Sequence, residues 1–390
     1  MKYLFPLICI STLVGGSFEL SAKHQTSDIS QISKPATLRV VVAKMVPTAF
    51  LEVKGSHHIY NALDGSILSR GMLNKRHAVV AGEFGLNWGE KIPGVYQMRI
   101  VPLDSQTRIL INGVQYKGCL EIHAHEDKFN VISEVDVENF LKTTLPSYFD
   151  KALDPELMNA VAILARTHAY YIAAKNKDKD FDLDGTTFDY QGSLLSSHVD
   201  YIDHAVETTR HAMLTFKGKP FPASWTQDSA GKTADFSTIF RKTALTPPPM
   251  SVPLAAKNLE SRKWQFTVSK DTLARLSYLD NLTSLDLYVD HASGKVYGLK
   301  LVSSFESKDI DFVHFQNLIG KHNLCSNQFT ITTKGDHITF TGYGEGLGVG
   351  LCLYTGHLLA EKGKTATEIL ASFFPDAELH KARSLEDLTR

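Results

Sequence analysis

Three groups of residues have types and spacings that could do chemistry. His123 and His125 alternate with Glu121, so on a strand all three share one face. Two imidazoles and a carboxylate can bind zinc. No third histidine follows at metal spacing, so these read as half-exposed strand histidines and no metal is expected. His204 and His211 lie about 10 Å apart along a helix, too far to chelate one ion. His57-His58 reads as a surface loop pair. The second group, Gly342 to Gly350, has a glycine at every second position. No register supplies G-x-G-x-x-G, and no Walker sequence is present, so no nucleotide cofactor is expected. On a strand, alternate glycines would strip one face of side chains and let a neighbour or a ligand approach the backbone closely. The third is Trp225 to Thr233, with Ser229, Gly231 and Thr233. No Gly-x-Ser-x-Gly elbow surrounds Ser229, so it reads as a polar turn or a sugar-binding loop rather than a hydrolase nucleophile.

The elements that must position these groups follow from periodicity. Leu38 to Ala43, Ala49 to Val53, His58 to Tyr60, Val95 to Val101 and Arg108 to Ile111 are short β-branched runs. Asp64-Gly65 and Asn112-Gly113 punctuate them as hairpin turns. Strands continue from Gly118 to Val131. The period then changes. Val135 to Leu145 predicts a short helix that Pro146 ends. Asp154-Pro155 opens a second helix, with Asp154 as N-cap and Pro155 in the first turn, where its missing N–H costs nothing. Leu157, Val161, Leu164 and His168 carry that helix to about Lys175, and Ala160, Ala162, Ala165 and Ala169 would allow close packing. A helix over Asp200 to His211, a hairpin at Lys217-Gly218-Lys219, a proline loop over Thr246 to Pro249 and strands from Ser284 to Ser303 follow. Thr365-x-x-Glu368 is a capping box for a helix that Pro375 ends. The fold class is α+β: a strand-rich N-terminal part, a long Ala-rich helix and a mixed α/β C-terminal part.

The chain has 390 residues and a net charge of −1, from 41 Lys plus Arg against 42 Asp plus Glu. That balance gives no global pull on nucleic acid, and no local basic patch stands out. Residues 1–22 read as a signal peptide: Met-Lys, an apolar run from Tyr3 to Val14, then small residues. The run is short for a membrane span of about 20 residues, and an uncleaved N-terminal anchor is the alternative. Export implies an oxidising compartment. Cys119, Cys325 and Cys352 remain after cleavage, with no CxxC spacing; they read as three buried thiols, with one disulfide and one free thiol as the alternative. The organisation expected is a linker over 23–36, a β-rich region over 37–115, a second domain over 116–379 and a tail over 380–390.

Several segments in one order resemble the SpoIID/LytB family, the stage II sporulation protein D type, from about Leu38 to Ala377. The family pattern Leu-Glu-x-Tyr-Leu is similar to Val137-Glu138-Asn139-Phe140-Leu141, its "SEMP" segment to Ser147-Tyr148-Phe149-Asp150, and its Ala-rich helix to Glu156 through Ala169, with no gap. Two Tyr-x-Gly segments resemble Tyr116 to Gly118 and Tyr190 to Gly192. The family's hydroxyl-rich loop looks like Trp225 to Thr233, and its glycine motif looks like Gly344 to Gly356, retaining Gly346, Gly348, Gly350 and Tyr354.

The resemblance implies an exported protein in the cell envelope whose mixed α/β C-terminal part forms a glycan groove and which acts on peptidoglycan by lytic transglycosylation. One carboxyl suffices for that chemistry. It protonates the glycosidic oxygen, then takes the proton of the sugar's own 6-hydroxyl as a 1,6-anhydro ring closes. The family's glutamate falls on Tyr148, a phenol with an ordinary pKa near 10 and a poor donor at neutral pH. The catalytic candidates are therefore Tyr148 itself, Glu138 and Asp150, against readings of Glu138 as a structural helix residue and Asp150 as a solvated turn. The substrate-binding candidates are Arg166, Thr167, Tyr190, Ser229, Thr233, Gly344, Gly346, Gly348 and Tyr354. The implied partners are peptidoglycan strands and amidases or other cell-wall enzymes, with no nucleic acid. The competing class is a non-catalytic glycan-binding or amidase-partner protein on the same scaffold.

Overall fold

The computed structural model describes residues 36–382 apart from 72, 73, 191 and 193–198. The expected leader 1–22, residues 23–35 of the expected linker and residues 383–390 lie outside the described residues. The chain is an α+β protein: among the described residues strands dominate up to Asp136, and helices take the larger share after it.

A seven-stranded sheet runs in the order Leu183–Asp184, Thr37–Val46, Lys128–Asp136, Cys119–His125, Gln97–Pro102, His57–Asn61, Ile67–Gly71. It crosses position 115, because Cys119–His125 pairs with Gln97–Pro102 and Lys128–Asp136 with Thr37–Val46, with Leu38 opposite Val135. A six-stranded sheet, from Val114–Tyr116 to Glu90–Pro93, shares a core with it in which Leu51, Trp88, Ile100 and Val131 are buried. The turn at Asn112-Gly113 forms as expected: both residues have positive φ (49° and 85°), the backbone that a tight two-residue hairpin needs.

Helix α1 (Val137–Thr144) begins where the Asp136 carboxylate accepts the Glu138 and Asn139 N–H groups. Pro146 does not break the chain. It falls in the first turn of a 3₁₀ segment, Leu145–Tyr148, where no helical N–H is needed. Helix α2 (Pro155–Lys175) spans the expected range and is buried on most sides, which its alanines permit. Helix α3 (Asp200–Thr208) stops short of the expected His211, which takes a left-handed backbone (φ 66°) and gives its N–H to Glu138. These helices share a second core with the capped helix Ala366–Phe373, whose Thr365–Glu368 box is formed.

A third core lies under the hairpin Ser284–Asp290/Lys295–Val302 and the sheet Lys263–Ser269, His337–Tyr343, Phe329–Lys334. The last described strand, Glu378–Lys381, pairs with Ala212–Thr215, so residues 380 and 381 of the expected tail belong to the fold. Among the described residues no helix is long and apolar enough to cross a membrane.

Candidate functional site

Only the start of the glycine segment is a strand. His337–Tyr343 takes in Gly342 and ends there, and Gly344, Gly346, Gly348 and Gly350 all have positive φ. A two-residue glycine period suits a strand and a chain of left-handed steps equally well, and the packing decides. A Cβ on Gly344 would lie 2.7 Å from the Asp228 carbonyl oxygen, and one on Gly350 2.0 Å from that of Ser224. Only glycine allows the two loops to meet this closely. Gly346 rests on Thr226 and Gly348 on Lys295. The contact is stitched by Asp228 and Glu345, which exchange N–H···O bonds of 2.9 and 3.0 Å, and by the short parallel pair Trp225–Thr226 with Leu351–Cys352.

The meeting of these loops forms part of the wall of an open cleft of about 960 Å³. The other walls are the lead-in and first turn of α2 (Ala152 to Leu157), the segment Arg262 to Trp264, the Lys321–Cys325 region and the start of the helix Leu353–Ala360. Arg262 stacks on the Tyr354 ring, its guanidinium carbon 4.1 Å from the centroid, while its Nε is 2.9 Å from the Asp228 carboxylate. Trp264 is oriented by a 3.1 Å bond from its indole N–H to Ser326. Also in the lining, Asp154 makes no cap bond with α2, and its carboxylate instead lies 2.5 Å from Nδ1 of His357. That bond raises the His357 pKa above its ordinary value. Cys325 is also in the cleft wall, and Cys352 is buried behind it.

Of the sequence-derived candidates, Gly344 and Tyr354 line this cleft, and Gly346 and Gly348 continue its glycine loop. Ser229 lies behind the wall, fully buried. Its N–H meets the Cys352 sulfur, and its carbonyl accepts a 2.6 Å bond from Lys295, whose pKa burial lowers to about 8. Thr233 exchanges hydrogen bonds with Met250 and so holds the end of the proline loop.

The remaining candidates sit in the helical core. Arg166 is fully buried and turns its fork onto Glu138, with Nη2 2.5 Å from Oε2, while Nη1 donates to the Ala212 carbonyl at 2.7 Å. Glu138 is itself 1% exposed and accepts the His211 N–H. Thr167 donates to Ile163 and accepts the Leu214 N–H. Tyr190 packs on Phe140 and Tyr116, and burial lifts its phenol to about 12. These four tie α1, α2, the end of α3 and the strands together and present no polar group to a ligand.

Tyr148 stands edge-on to Trp225 at 5.8 Å, with Phe149 stacked on the same ring. Burial, then the nearby Asp189, pushes the Tyr148 phenol further up. Asp150 is exposed, and neither Tyr148 nor Asp150 lines the cleft. The strand histidines lie against carboxylates: Nε2 of His123 is 3.0 Å from Glu121 and Nε2 of His125 is 3.1 Å from Asp180. Burial alone would raise Glu121, but the bonds from His123 and Arg99 outweigh it and hold Glu121 at about 2. Among the described residues no group of three or more potential ligands could hold a metal.

The pair Asp154–His357 escaped sequence reasoning. Asp154 reads as a helix cap, and its true partner is 203 positions away. Arg262 and Trp264 carried no local signal either.

Residues 125–216 match the family model described as stage II sporulation protein, SpoIID. The stage II sporulation protein D of Bacillus subtilis is 20% identical over 267 residues, covering 64% of this chain and 76% of that protein. An uncharacterized protein of Brachyspira hyodysenteriae is 27% identical over 349 residues, covering 88% of this chain and 92% of that one. An uncharacterized protein of Chlamydia muridarum is 31% identical over 219 residues, covering 55% and 76%.

Proposed function

The chain belongs to the SpoIID family, and on that premise we propose that it acts on the glycan strands of peptidoglycan, outside the cytoplasmic membrane, by lytic transglycosylation. The observation that carries this reading is the open cleft lined by Trp264 and Tyr354 among charged side chains. An aromatic face packs on the apolar C–H face of a sugar ring, and flanking polar groups meet its hydroxyls. The cleft is open rather than enclosed, which suits a chain passing through more than a small molecule. Of the three carboxylates in its walls, Asp154 lies against the His357 ring and Asp228 against the Arg262 guanidinium, and Glu345 is the third. The reaction needs one group that gives a proton to the glycosidic oxygen and recovers one from the 6-hydroxyl. The leader over 1–22 supports export, and N-terminal sequencing of the protein recovered from the envelope tests it.

A second reading is a non-catalytic strand-binding or amidase-partner protein on the same scaffold. It is favoured by Tyr148, which stands where the family has its glutamate and whose raised phenol is a weaker acid still. Incubation of the purified chain with peptide-free glycan strands separates the two. The first reading expects 1,6-anhydro ends by mass spectrometry; retention of strands with no such product leaves the second.

A further inference from the structure

We infer that the Asp154–His357 pair is the proton donor and acceptor of the cleft, taking the place of the glutamate that this chain lacks. The inference rests on the transglycosylase reading above. Its first support is position. Asp154 and His357 both line the cleft, whereas Tyr148 and Asp150 do not, and Glu138 is sealed against Arg166.

The second support is the geometry of the pair. Asp154 occupies the N-cap place of a 21-residue helix, yet its side chain leaves the helix N–H groups and turns 2.5 Å from Nδ1 of His357. The positive end of α2 favours the ionised carboxylate. That carboxylate fixes the ring with Nδ1 protonated and stabilises the imidazolium, as a carboxylate behind a catalytic histidine does in general. Nε2 is the ring atom left for a ligand. It lies 3.5 Å from Glu361, outside the ordinary hydrogen-bond range for a charged pair, and the ring is half exposed. The other charged groups facing the cleft are Asp228, Arg262, Lys263, Lys321, His322 and Glu345. Asp228 is occupied by Arg262, whereas Asp154 is joined to a histidine that can both give and take a proton.

The step balances without a co-reactant. Nε2–H of the imidazolium gives its proton to the glycosidic oxygen as the C1–O bond breaks, and that oxygen leaves as a hydroxyl. The 6-hydroxyl of the sugar left behind attacks its own C1, closes the anhydro ring and returns its proton to Nε2. No water is consumed and nothing is oxidised.

The test uses the full mature chain with peptide-free glycan strands, reading 1,6-anhydro ends by mass spectrometry, strand retention by pull-down and folding by thermal melt. His357→Gln should lower product formation by about 100-fold or more, within the range of general acid catalysis, with the chain still folded at the assay pH and retention unchanged. Asp154→Asn should move the basic limb of the rate–pH profile to lower pH, since it removes the carboxylate that favours the imidazolium; a merely structural ion pair would not move that limb. An active wild type with an equally active His357→Gln overturns the pair and leaves the transglycosylase reading standing. Loss of strand retention in folded His357→Gln makes the residue a binding group and overturns the pair likewise. A wild type that retains strands and forms no anhydro ends overturns both.

Discussion

Replacing Arg166 with methionine keeps the volume and apolar stem of the side chain and deletes its fork. Five acceptors then lose a partner: both Glu138 oxygens and the carbonyls of Ala162, Ala212 and Val206. Only the His211 N–H still bonds the Glu138 carboxylate, at 3.1 Å, in a site that is 1% exposed. Stranding one member of a buried ion pair costs about 3–5 kcal/mol, a large share of a total stability of roughly 5–15 kcal/mol. The expected result is a melting temperature lower by about 10 °C, read by circular dichroism. Adding Glu138→Leu should restore much of that loss, because it removes the stranded charge. The reasoning fails if Arg166→Met melts like the wild type and loses only glycan retention. Arg166 would then face the substrate.

Gly344→Ala must adopt a φ of 73° and place a methyl 2.7 Å from the Asp228 carbonyl; a loss of ~1–3 kcal/mol in a urea melt, with weaker strand retention, is expected. Tyr354→Ala removes the ring under Arg262 and an aromatic face of the cleft, and should weaken pull-down of glycan roughly tenfold with the fold intact. The Asp154 bond raises the pKa of His357, so the stability it contributes is fully present below the unfolded value near 6.5 and is lost as pH rises through the higher folded value. Melts of wild type and His357→Gln should therefore differ most near pH 5 and converge at pH 9.

Local signals carried much of the fold. Asp154-Pro155 and the alanine spacing gave α2 its limits, Asn112-Gly113 its hairpin and Thr365–Glu368 its helix, since each is decided by residues within a turn of one another. What escaped is decided at long range. The glycine segment reads as a strand until the loop around Ser224 to Asp228 is laid against it. Arg166 carries the same type of group whether it meets a sugar or a buried carboxylate, and only the arrival of α1 shows which. Asp154 is a sound N-cap by type, yet the helix Leu353–Ala360 brings His357 to it and claims the carboxylate.

A structure of the chain bound to a peptide-free glycan oligosaccharide reads the central claim directly. The account predicts sugar rings in the cleft between Trp264 and Tyr354, with a glycosidic oxygen within hydrogen-bond reach of the wall that bears Asp154 and His357. Sugar bound on another face, or a cleft that stays vacant while the strand binds elsewhere, would contradict it.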